Sequence, residues 1–217
     1  MAIGIRNRHY DHSSNSRKAS LPVISVGNLT VGGTGKTPIV ARLAERLVSK
    51  GLKPAVVSRG YGGSVGKGPR LVSESSTASE CGDEPCLLAS ILRGAAVVVG
   101  SDRLAGAERA KLCGADVVLL DDGFQHRRLA RDLDILLLDG RCPFGNHRML
   151  PAGPLREPLA SLKRADVIIV TGGVSGDHAS KIERIARRYN TAAPVFRSGH
   201  RRVGFIDISR RPVAAPD

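Results

Sequence analysis

The sequence predicts an α/β fold: an open, doubly wound and mainly parallel sheet. Three observations carry that expectation. Six short apolar runs, at 22–26, 54–58, 95–99, 116–120, 134–138 and 166–171, are continuous rather than alternating, as strands covered on both faces require. Helix-like stretches lie among them at 37–50, 84–92, 102–112 and 180–189, and strand–helix alternation builds parallel sheets. The unusual residues, rich in glycine, aspartate and arginine, follow the ends of these strands, where ligands bind in such folds.

Composition narrows the function. A chain of 217 residues with 41% hydrophobic side chains can bury a sizeable core, which excludes disorder as its main state. Only 3% of residues are aromatic and none is Trp, which leaves little for base stacking and argues against nucleic acid as a partner. The net charge of +13 points to an anionic partner such as a nucleotide, a phosphorylated lipid or a membrane surface. Cys81, Cys86, Cys113 and Cys142 include no CxxC pair, so a zinc site or disulfide framework is not expected and a reducing cytosol fits. No apolar run approaches the roughly 18 residues of a spanning helix. The expected organisation is a polar lead-in over 1–20, a sheet domain over 21–198, and a Pro/Ala-rich linker or domain edge over 199–217.

Taken in chain order, the first strand leads into Val23-Ile-Ser-Val-Gly-Asn-Leu-Thr-Val-Gly-Gly-Thr-Gly-Lys-Thr37. Gly32, Gly33 and Gly35, with Thr34 between, let backbone N–H groups curl around phosphate oxygens, and the helix that follows adds its positive end. Lys36 can reach the terminal phosphates and the Thr37 hydroxyl can ligate Mg²⁺. Thr30 stands where the strict pattern has a glycine. The context places the sheet in the P-loop NTPase type.

The second strand ends in Ser58-Arg-Gly-Tyr-Gly-Gly63, a glycine loop carrying the cation Arg59. Gly82-Asp83-Glu84-Pro85 opens the next helix; helix capping explains it as readily as a carboxylate aimed at phosphates. Gly100-Ser-Asp-Arg103 places a further arginine on the loop after the third strand. The fourth strand ends in Asp121-Asp122, a pair that is costly unless a cation sits beside it. His126, Cys86 and Cys113 carry no site signal of their own. The segment Pro151-Ala-Gly-Pro-Leu-Arg-Glu-Pro158 puts Arg156 on a further loop.

The set GNLTVGGTGKTP, SRGYGG, GDEP, DDGFQHRRLARD and LPAGPLREPLASLKRAD, in this order, resembles the tetraacyldisaccharide 4′-kinase family over most of the chain, from about Ile5 to Thr171. The Thr30 departure is shared by that family. The resemblance implies ATP- and Mg²⁺-dependent phosphorylation of the 4′-hydroxyl of a lipid A disaccharide precursor at the cytoplasmic face of the bacterial inner membrane, with the protein peripheral to it. It implies nucleotide and metal on Lys36 and Thr37, Asp83 as base, and Asp121 and Asp122 on the metal side. Arg59 follows the second strand and belongs with the substrate-side cations; Gln125, Arg103, Arg156 and Glu157 are implied to line the phosphate and sugar side. Family members also begin with an amphipathic membrane helix, of which 5–11 resembles the tail. They continue into a C-terminal domain supplying a histidine, which leads to the expectation of slow turnover by this chain, with His200 no obvious substitute. The alternatives are a P-loop ATPase switch and a nucleotide- or lipid-binding form impaired in turnover.

Overall fold

The computed structural model describes residues 10, 15–64, 68–199, 205–206 and 212–213. The proposed helix tail at 5–11, apart from Tyr10, and His200 lie outside the described residues. Eight strands form one sheet. They are β1 (Val23–Asn28), β2 (Pro54–Ser58), β3 (Arg70–Leu71), β4 (Ala96–Val99), β5 (Val117–Asp121), β6 (Leu133–Asp139), β7 (Val167–Thr171) and β8 (Val195–Arg197). Their spatial order is β3-β4-β2-β5-β1-β6-β7-β8. Every pairing is parallel except β3 on β4. A separate antiparallel pair joins β9 (Phe205–Ile206) to β10 (Pro212–Val213).

The helices that pack on the sheet or border its carboxyl edge are α1 (Lys36–Val48), α2 (Ala78–Cys81), α3 (Asp83–Ile91), α4 (Arg103–Leu112) and α5 (Gly176–Arg187). Alternate strand residues feed opposite layers. Val26, Val56, Leu119 and Leu137 pack with Val40 and Ala44 of α1 and Leu88 of α3. On the other face, Val23, Val57 and Leu120 meet Ala107 and Ala110 of α4, while Leu136, Leu138 and Ile168 meet Ile182 and Ala186 of α5. Burial on both faces is why the strands read as unbroken apolar runs.

All six predicted strands and all four predicted helices are present, with ends moved by a few residues. The last helix starts at Gly176 rather than 180, because its first turn is polar and shows no apolar face. The edge strands β3 and β8 and the short helix α2 were not foreseen. α2 is held by a reciprocal capping box between Thr77 and Glu80, a device worth about 1 kcal/mol.

Topology assembles one end of the sheet. β1 is flanked by β5 and β6, with Val26 opposite Asp121 and Asn28 opposite Leu137. Ser58 closes β2 opposite Val99 of β4. The loops after β1, β2, β4 and β5 therefore open at the same carboxyl edge.

Candidate active site

Gly35 caps α1 with φ 74°, and the helix has no side-chain cap and no acidic residue in its first turn. The first N–H groups of α1 are thus left to an external acceptor, and their dipole favours an anion. They face a cavity of about 760 Å³. Its floor is Gly32, Gly33, Thr34, Gly35, Lys36 and Thr37; its walls are Ser58, Arg59 and Tyr61, then Asp83, Glu84 and Pro85, and finally Arg103, Asp121, Asp122 and Arg156.

The Lys36 ammonium donates to Asn28 Oδ1 at 3.3 Å and lies 3.6 Å from Asp122 Oδ1. Asp122, at φ 53°, also accepts from Arg156 Nη1 at 2.7 and 2.8 Å. Gln125 joins the network, accepting from Arg156 Nη1 at 3.3 Å and donating to the Asn28 carbonyl at 2.9 Å. Arg103 is buried; it donates to the Gly100 carbonyl at 2.8 Å and the Asp121 carbonyl at 3.3 Å. Burial pulls its pKa down to about 10, against the pull of Asp121 and Asp122. At that value it remains a cation at neutral pH.

Asp121 is 2% exposed. Its Oδ2 accepts from Ser58 Oγ at 3.2 Å, while Oδ1 has no partner among the described residues. Burial first, then the carboxylates of Glu84 and Asp122, push its pKa above the usual range. Thr34 Oγ1 is likewise buried and unpaired. Orphaned buried oxygens of this kind are costly unless a ligand supplies a partner, so the donor set fits a metal–phosphate group.

Two expected positions differ from the sequence reading. Glu157 does not reach the cavity. It is fully buried, accepting from Ser161 Oγ at 2.9 Å and from Arg164 at 2.9 and 3.1 Å. Thr30 is buried beneath the loop, its carbonyl accepting from Asn28 Nδ2 at 2.8 Å, and it is not among the cavity's lining residues. Asn28, Ser58, Tyr61 and Glu84 enter the site although sequence reasoning passed over them; the signal for Asn28 was its place at the end of the strand feeding the glycine loop. His126 was also passed over. It lines a smaller side cavity of about 330 Å³ with Ser101, Gln125 and the arginines 59, 103 and 156.

Burial, then the Arg103 charge, lowers the His126 pKa from 6.5 to about 4. Between those values the unfolded chain binds a proton that the folded chain refuses. Stability therefore rises with pH across that window and is lost as pH falls through it. Urea midpoints of the nucleotide-free chain should drop between about pH 6.5 and pH 5, and His126→Gln should flatten that slope; an unchanged slope would place the ring outside the buried charge field.

A glycine loop on a helix N-terminus, a lysine inside it, and acidic and arginine residues on neighbouring strand ends define a phosphate-binding-loop nucleotide fold. Likeness to the signal recognition particle receptor FtsY from Elizabethkingia anophelis in complex with GDP, at TM-score 0.50 and 16% identity over 89% of this chain and 61% of that one, shows the same fold alone. The family model described as tetraacyldisaccharide-1-P 4′-kinase matches residues 1–213, and the chain belongs to that family. It is 55% identical over 161 residues to the tetraacyldisaccharide 4′-kinase of Pelobacter propionicus, covering 72% of this chain and 45% of the relative. The Geobacter sulfurreducens relative is 48% identical over 210 residues, covering 93% and 57%. The crystal structure of LpxK from Aquifex aeolicus in complex with ATP superposes with TM-score 0.74 at 40% identity, over 90% of this chain and 60% of that one. The chain spans about half the length of the curated relatives it matches.

Proposed function

We propose that this chain forms the nucleotide site of a lipid kinase that transfers the γ-phosphoryl of ATP to the 4′-hydroxyl of a tetraacyldisaccharide 1-phosphate, a precursor of lipid A. The observation that carries the reading is the convergence of Lys36, Asp83 and Asp121 on one cavity. In this role the glycine loop and the first turn of α1 hold the phosphates, and Lys36 leaves Asn28 and Asp122 to meet them. Thr37 and Asp121, with Asp122 beside them, are the residues that would hold Mg²⁺, which when bound neutralises charge on the phosphate oxygens. The unpaired Oδ1 makes Asp121 the better ligand of the pair, since Asp122 already carries Arg156. Asp83 takes the proton of the attacking hydroxyl. Arg59, Arg103 and Arg156, with Gln125 behind them, orient the transferred group and the sugar.

The net charge of +13 supports peripheral attachment to an anionic membrane surface, where each clustered cation contributes about 1 kcal/mol. No helix among the described residues is long and apolar enough to cross a membrane. We further read 21–198 as the nucleotide-binding domain, with 199–217 leading out of it.

The test is Lys36→Ala. Mg-ATP should raise the Tm of the parent chain and leave that of the variant unmoved, and radiolabelled phosphate should pass to the disaccharide acceptor only with Lys36 present. Equal stabilisation of both proteins would sink the assignment. ATP hydrolysis that ignores the acceptor would favour the switch reading instead.

A further inference from the structure

Three glycines lie in the loop after β2, at Gly60, Gly62 and Gly63, and they are not equivalent. Gly60 and Gly62 have φ of 72° and 83°, so they serve the turn itself. Gly63 does not sit at positive φ; what it supplies is closeness. A Cβ there would stand 2.7 Å from the Glu80 carbonyl oxygen and 2.7 Å from the Gly82 nitrogen. From the opposite side, a Cβ on Gly82 would stand 2.5 Å from the Tyr61 carbonyl oxygen. Backbone therefore lies on backbone, with a glycine contributed from each side. Hydrogen bonds reinforce the contact, from Ser64 N to the Ser79 carbonyl at 2.9 Å and from Ser64 Oγ to the same oxygen at 3.2 Å.

The contact joins two parts of the cavity wall. One strap carries Arg59 and Tyr61; the other ends at Gly82 and hands over directly to Asp83. Asp83 and Arg59 have no ion pair among the described residues, unlike Arg156. Their own side chains are thus not what sets their separation. We infer that Gly63 and Gly82 form a backbone clasp that fixes the arginine loop against the start of α3, making them positioning residues for Arg59 and Asp83. The inference rests on the reading of Asp83 as base. Steric contact requires the clasp to open for any side chain at 63, because both facing atoms are backbone and cannot rotate away.

Gly63→Ala tests the clasp without disturbing a positive φ, and Gly62→Ala is its counterpart, since it strains φ while its Cβ meets nothing within 4 Å. Misplacing a reacting group by about 1 Å can cost about 10²-fold in rate. Gly63→Ala should lower kcat by about that factor while leaving Mg-ATP affinity unchanged, and Gly62→Ala should keep most of kcat. Added to Asp83→Asn it should cost little more, because coupled residues do not add. Amide hydrogen exchange gives a readout independent of turnover: in Gly63→Ala, protection should fall together in 58–64 and 79–83. Undiminished kcat, losses that multiply with Asp83→Asn, or exchange changed at residue 63 alone would each overturn the clasp. A parent chain that transfers no phosphoryl, with Gly63→Ala still showing the paired loss of protection, would count against the kinase reading and leave the clasp standing.

Discussion

Asp83→Asn should lower the rate of phosphoryl transfer by about 10²- to 10⁴-fold, the range a positioned general base supplies, with little change in Mg-ATP affinity or in stability. The sequence left open two readings at this position, a helix cap and a carboxylate aimed at phosphates, and the local geometry favours the second. The cap of α3 is Gly82, at φ 90°, and no side chain caps the helix. Asp83 is therefore the first helical residue, its carboxylate is not spent on the helix's own N–H groups, and it lines the cavity beside the glycine loop. The helix dipole favours its charge by about 0.3–1 kcal/mol, so the substitution removes little that holds the fold together. Glu84 lines the same wall, and Glu84→Gln is the necessary companion. Steady-state kinetics with ATP and the disaccharide acceptor decide between them. Retained kcat in Asp83→Asn together with a collapse in Glu84→Gln would move the base by one residue.

The legible part of the site is the part encoded locally. Gly32 to Thr37 declare themselves because the glycines, lysine and threonine must be adjacent in sequence to wrap a phosphate. Asp121 and Asp122 declare themselves because they end an apolar run as two adjacent carboxylates, a pair that is costly unless a cation sits beside it. The central strands are legible for a related reason: with both faces covered they read as near-continuous apolar runs, Ser25 of β1 being small and buried. β3 is a two-residue antiparallel edge, and β8, Val-Phe-Arg, is a three-residue edge; neither is long enough to show a period. Glu157 was beyond reach for a different reason. It follows Arg156 directly, yet Arg156 turns to Asp122 at the cavity while Glu157 turns into the core to meet Arg164. Which of two adjacent charges faces the cavity is decided by packing: Asp122, distant in sequence, draws Arg156 outward, while the nearby Ser161 and Arg164 draw Glu157 into the core, and no spacing rule contains that choice.

That packing makes the second large effect one of stability. Glu157 is fully buried, and the Arg164 side chain it pairs with is 12% exposed. The Arg164 guanidinium also lies over the Phe124 ring, 4.4 Å from its centroid, an arrangement that contributes about 0.5–2 kcal/mol when desolvated. Phe124 sits between Asp122 and Gln125, so the pair reaches from the Arg156 loop to the acidic strand end. Glu157→Ala should cost about 3–5 kcal/mol, because it strands a buried cation rather than merely deleting a bond. Arg164→Met should also destabilise, since it removes the cation that compensates the buried carboxylate while the Ser161 hydrogen bond remains. Replacing both, as Glu157→Leu with Arg164→Met, should recover much of the loss, since a well-packed apolar pair is often no worse than a buried ion pair. Urea titrations of the nucleotide-free chain at unchanged m-value measure this directly. If Glu157 served the substrate instead, the single substitution would raise KM for the acceptor and leave the urea midpoint where it was.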